Sequence, residues 1–128
     1  MYLGHYEKEP NMAELYALRD WLKKNGADFE FYDMPTIWEY DEAHPGMPHA
    51  IQQIGQHQVI VFDQINGRRM RRWDAICHRG SYGYENGLLE VMGCIVPEGT
   101  PGNVQGFLTA ASVIEMEKER RKREESDD

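Results

Sequence analysis

The sequence predicts an α+β fold: a small antiparallel sheet of three to five strands, flanked by an N-terminal and a C-terminal helix. Three observations predict it. Leu15, Leu18 and Leu22 recur at helical spacing near the start of the chain. Asn66-Gly67, the strongest short hairpin signal, separates two strand-like runs. Thr109, between the staple pair Leu108 and Val113, opens a second helical stretch. Both helices are expected on one sheet face, because each has one apolar stripe to bury. The 128 residues fit one compact domain over 1–114. Residues 115–128 then form the charged end of the last helix, expected to be solvated or frayed.

Each element follows from local chemistry. Asn11 and Glu14 form a capping-box-like pair ahead of a helix over 12–25, which Gly26 stops. Phe29 and Phe31 alternate with polar neighbours in a first strand from about Ala27. Thr36 to Tyr40 is a second strand, and 41–48 is a Pro- and Gly-rich loop. Residues 49–54 fit no pattern well. His57 to Asp63 is an apolar, buried strand that turns at Asn66-Gly67 into a returning strand over 69–78. Strict alternation there puts Arg69, Arg71, Trp73, Ala75 and Cys77 on one face, with Met70, Arg72, Asp74 and Ile76 on the other. Three glycines make 79–87 a loop. LLEVM at 88–92 fits a short helix slightly better than a strand, and 97–106 is turn-rich. The last helix runs over 110–123.

Charge narrows the function. The formal net charge of −8 excludes a general DNA- or RNA-binding surface, which needs a basic face. Residues 1–63 carry net −7, whereas 64–114 carry net +1, with all five of their basic residues arginines between Arg68 and Arg79. That concentration implies a local use of positive charge. No apolar run approaches the roughly 20 residues of a membrane span, and the N-terminus lacks a signal-peptide pattern. A cytoplasmic protein with no membrane partner is the expectation. Cys77 and Cys94 lack metal-ligand or CxxC spacing and read as small buried apolar residues.

The candidate site is the stretch from Arg68 to Gly87. Arg69, Arg71, Arg72 and Arg79 present forks that suit phosphate oxygens. Trp73, Tyr82 and Tyr84 offer rings for stacking, and His78 and Ser81 offer hydrogen bonds. The glycines allow backbone amides to approach an anion. Together these suit a small, nucleotide-like anionic ligand. The competing structural readings are an arginine-guarded hairpin edge and Trp73 as a core residue. The loop also lacks the spacing of the recognised phosphate-binding motifs. His78, Glu85 and Glu90 are the residues available for acid–base catalysis, but no nucleophile–base pair is recognisable. His44 and His49 lie near Asp41 and Glu42, yet exposed histidines explain them better than a metal site does. No metal or cofactor is expected.

The run from Trp73 to Gly93 resembles small proteins encoded by bacteriophages and mobile elements of Firmicutes. The shared features are an H-x-G-S-Y-G-x-E-x-G-L-L-E-[IV]-M-G core and a later Gly-aromatic-Leu-Thr-Ala segment, here Gly106 to Ala110. The resemblance covers about half the chain and carries no agreed activity, so it assigns no catalytic residue. It implies a phage-type accessory role in an infected bacterial cell. Joined to the arginine–tyrosine cluster, it makes sequestration of a phosphate-bearing, nucleotide-derived immune signal the leading expectation. By analogy with other sponge proteins, a homo-oligomer is expected. The alternatives are an acidic inhibitor that docks a host defence protein or mimics nucleic acid, and a small hydrolase of a similar nucleotide.

Overall fold

A computed structural model describes residues 11–34, 37–40, 48–53, 55–78 and 80–126. Helix α1 (Ala13–Lys24) leads into β1 (Asp28–Met34), followed by a separate hairpin of β2 (Ile37–Tyr40) and β3 (Pro48–Gln53). Then come β4 (Gln56–Ile65), β5 (Arg68–Ile76), β6 (Leu89–Gly93), β7 (Val104–Leu108) and helix α2 (Ala110–Ser126). The main sheet is antiparallel, in the order β1-β4-β5-β6-β7. The α+β architecture and its two flanking helices are as the sequence predicts.

One core joins the layers. Leu15, Leu18 and Leu22 of α1 and Val113 of α2 are fully buried against Val59, Val61, Trp73, Ala75, Leu89 and Val91 of the sheet. Alternate strand residues supply that face, and both helices lie on it. Hydrogen bonds lock the helix starts. The Thr109 hydroxyl accepts the Ser112 amide, as its N-cap position predicts. Asn11 accepts the amide of Ala13, but Glu14 does not fold back to complete a capping box. Its carboxylate accepts the first amide of α2, from Ala110, and so ties one helix to the other.

Two further ties fix the layers. The Tyr16 phenol donates to Asp33 Oδ2 at 2.6 Å, and Asp33 Oδ1 lies 2.8 Å from His57 Nδ1. That chain of contacts links α1, β1 and β4. At the other end of the layer, Glu117 and Arg120 are 0% and 3% exposed. Arg120 donates to both Glu117 oxygens, to Asp63 and to Glu124, and the Trp73 indole N–H donates to Glu117. The charged end of α2 therefore divides by face. Its outer residues are solvated, as expected, while Glu117 and Arg120 clamp it to the sheet.

Three local expectations are corrected. Residues 89–93 form strand β6 rather than a short helix. Leu89 and Val91 point into the core while Glu90 and Met92 do not, a period of two that five residues carry too briefly to be decisive in sequence. Strand β7 lies inside and beyond the turn-rich run, where Gly102 and Gly106 obscure its alternation. The third correction concerns β5. Its register against β4 slips, so that Val61 faces Trp73 but Phe62 faces Arg71, leaving Arg72 as an extra residue. This bulge reverses the alternation on one side of it. Arg69 and Arg71 consequently share the face of Asp74, whereas Arg72 joins Trp73 on the helix side.

Candidate functional site

The bulge decides what the arginines do. Arg69 grips Asp28 with two nitrogens at 2.8 Å and Glu30 with a third at 2.9 Å, its guanidinium 3.6 Å from the centre of the Phe62 ring. The hydrogen bonds from Arg69 hold the Asp28 carboxyl below its ordinary range. Arg71 lies 3.3 Å from Asp74, and Arg72 pairs with Asp63 and Glu124 beside Arg120. Trp73 is buried at the centre of the core, so it is no stacking platform. Arg79 lies outside the described residues, as does His44, and of His49 only the backbone is described.

The remaining predicted residues lie at the opposite end of β5. Between Arg71 and Ile76 the strand alone spans about 16 Å, which sets the two groups apart. The Ser81 hydroxyl donates to the His78 carbonyl and accepts the His78 amide, which closes a tight turn. Burial lowers the pKa of the His78 imidazole, whose Nδ1 is enclosed without a hydrogen-bond partner among the described residues. Tyr84 begins a single 3₁₀ turn over Tyr84–Asn86. Tyr82 is 60% exposed, and its amide donates to Glu90. The structure thus brings Ser81, Tyr82 and Tyr84 together around a notch of about 260 Å³, and leaves Arg69, Arg71, Arg72 and Trp73 elsewhere.

The residue that completes the notch is Phe107, which the sequence reading did not single out. Its ring is 63% exposed and stacks near that of Tyr82, with centroids 6.3 Å apart and planes 27° from parallel. Its φ is +59°, a left-handed conformation that costs a bulky side chain about 1 kcal/mol. Gly106 makes this approach possible: a Cβ there would lie 2.3 Å from the Tyr82 Cβ. The signal in the sequence is the aromatic of the Gly-aromatic-Leu-Thr-Ala segment, Gly106 to Ala110, which carries the resemblance without marking a site.

Much of the loop's motif serves the fold. Gly93 has φ +118°, and a Cβ on it would meet the Arg72 carbonyl at 2.4 Å. Gly87 has φ +71°, and a Cβ on it would lie 2.8 Å from the Asn11 Cβ. Leu89 and Val91 are core residues. The loop leaves Gly80, Tyr82, Glu85 and Asn86 exposed, and Phe107 of β7 is exposed beside it.

No activated thiol is present. Burial pushes the Cys77 thiol up to about 11 and raises that of Cys94 too, so both resist ionisation at neutral pH. Among the described residues no group of three His, Cys, Asp or Glu side chains is placed to hold a metal ion. Nor, among them, is any helix long and apolar enough to cross a membrane. The fold and the notch together define an α+β protein with an exposed aromatic pair at one sheet end. No protein-family model, curated protein or solved structure matches the chain.

Proposed function

We propose that this chain is a non-catalytic binding protein that docks a basic partner protein through the Tyr82–Phe107 notch. The observation that carries this reading is Phe107, an exposed ring held on a left-handed backbone. Backbone strain and ring exposure both cost stability, and functional sites are where such costs persist. Glu85 lines the notch, and the whole chain carries net −8. A guanidinium or ammonium group would meet ring faces and a carboxylate there. Arginine and tyrosine are also the residues that dominate protein interfaces. With the phage-type resemblance, the partner this reading favours is a host defence protein, bound in the cytoplasm.

Sequestration of a nucleotide-derived signal is the second reading. It is favoured by the two rings, on which a base would stack, beside a glycine-rich loop. It needs cations for the phosphates, whereas Arg69 and Arg72 are each held by two carboxylates. The test is affinity capture from bacterial lysate with the intact chain, followed by titration of the purified partner. Phe107→Gly and Tyr82→Ala should each weaken that complex about 10- to 100-fold, and Arg71→Ala should not. Capture that survives both ring substitutions would sink the notch. Recovery of an intact nucleotide with no protein would favour sequestration.

A further inference from the structure

A cavity of about 580 Å³ lies elsewhere, between the end of α1, the β1–β4 side of the sheet and α2. Trp21 lines it from α1, and Lys118, Arg121 and Lys122 line it from α2. Trp21 is half-buried against the core, so the helix packing fixes the position of its indole. Asn25 and Gln64 add amide groups at the edges. From α2, Lys118 and Lys122 are successive residues on one side of the helix, because i and i+4 positions are neighbours.

The charges around this groove are not equivalent. Two of its three carboxylates are already bound to guanidinium groups outside the basic wall, and the third, Glu125, is an exposed residue near the end of α2. Asp28 is held at two oxygens by Arg69, and Asp63 lies 2.6 Å from Arg120 and 3.4 Å from Arg72. Lys118 and Arg121 of the basic wall are tied less firmly. Lys118 reaches Glu115 at 3.6 Å on the solvated side of the helix. Arg121 reaches Glu117 and Asp63 through one nitrogen, at 3.5 and 3.9 Å. Exposed helix pairs of this kind contribute little and yield readily to a better anion.

We propose that this groove binds a planar ring carrying an anionic group, the ring against Trp21 and the anion on Lys118, Arg121 and Lys122. An indole face and a cationic rim recognise the two halves of such a molecule separately, so each half alone binds weakly. The volume suits a mononucleotide-sized or smaller ligand. This inference is independent of the Tyr82–Phe107 notch, and either can fail without the other.

The experiment is a titration followed by the indole N–H resonances of the full chain. The Trp73 indole, buried on Glu117, serves as the internal reference for an intact fold. The probes are adenosine 5′-monophosphate and indole-3-acetate, with adenosine and ribose 5-phosphate as the separated halves of the first. One of the two complete probes should shift the Trp21 signal saturably, and whichever binds tighter identifies the anion as phosphate or carboxylate. Each half of the nucleotide should bind at least about tenfold more weakly than the whole. Lys118→Glu with Lys122→Glu should weaken the complete probe by about tenfold or more. Arg68→Glu with Arg71→Glu, the same change in net charge on the neighbouring strand β5, whose side chains do not line the groove, should weaken it several-fold less. The proposal is overturned if neither complete probe moves Trp21 at about 10 mM, or if both double variants weaken binding alike.

Discussion

The two ends of strand β5 make an instructive contrast. At the hairpin end, four arginines in five residues present the most conspicuous chemistry in the sequence, yet Arg69, Arg71 and Arg72 each face a carboxylate across a strand, a bulge or a helix. At the loop end, the exposed rings of Tyr82 and Phe107 carry no formal charge and the backbone under one of them is strained. A dense charge cluster is therefore a poor guide to a site when opposite charges lie one strand away. A bulky residue in a costly conformation, with its ring in water, is the better guide.

Substitutions at the two ends should separate these roles. The largest effect belongs to the clamp beneath the hairpin. Glu117→Ala leaves Arg120 and the Trp73 indole without their buried partner and should cost about 3 kcal/mol. For a domain of this size that lowers Tm by roughly 10 °C, which calorimetry would register. A change under about 1 kcal/mol would mean that α2 is held by apolar packing instead.

Acid should act in two steps, and the signs are defined by the pKa directions. His78 has a folded pKa below its ordinary 6.5, so the unfolded chain takes up its proton first. Stability at this group falls as pH drops below 6.5, and His78→Asn should remove that step. The Tyr16 hydrogen bond, with help from His57, holds Asp33 below its ordinary 3.8. Its contribution is full above that value and is lost as pH falls through the depressed folded pKa. Asp33→Asn should cost about 1 kcal/mol at pH 7, discounted for partial exposure, and progressively less as pH falls below 3.8. Denaturant titrations at several pH values would show whether the difference between the two chains closes.

Smaller effects test the loop end against the hairpin. A truncated core phenylalanine costs 3–5 kcal/mol, but Phe107→Gly also relieves a left-handed φ and should change stability by less than about 1 kcal/mol. A loss near the core value would make Phe107 a packing residue and remove the ground for the notch. Smallest of all, Arg71→Ala should fall within about 0.5 kcal/mol, as half-exposed pairs do. If it weakens partner capture, the hairpin end belongs to the interface after all.

What the sequence by itself determined was local. The Leu15–Leu18–Leu22 stripe, the Asn66-Gly67 turn with φ of +53° and +78°, and the Thr109 cap each depend on a few neighbouring residues, and each stands where the spacing puts it. Tyr82 and Tyr84 were also legible as loop residues, because glycines on either side exclude a regular element. Only the tertiary structure decided which face each arginine takes, because one extra residue at Arg72 reverses the alternation and sequence carries no mark of it. It alone brought Phe107 to Tyr82, across 25 positions of chain. It alone also made Glu117 and Arg120 buried partners rather than solvated charges, since that depends on Asp63 and Trp73 arriving from two other strands. Propensity acts over a turn of chain; pairing, burial and exposure are settled by what the rest of the fold sets alongside.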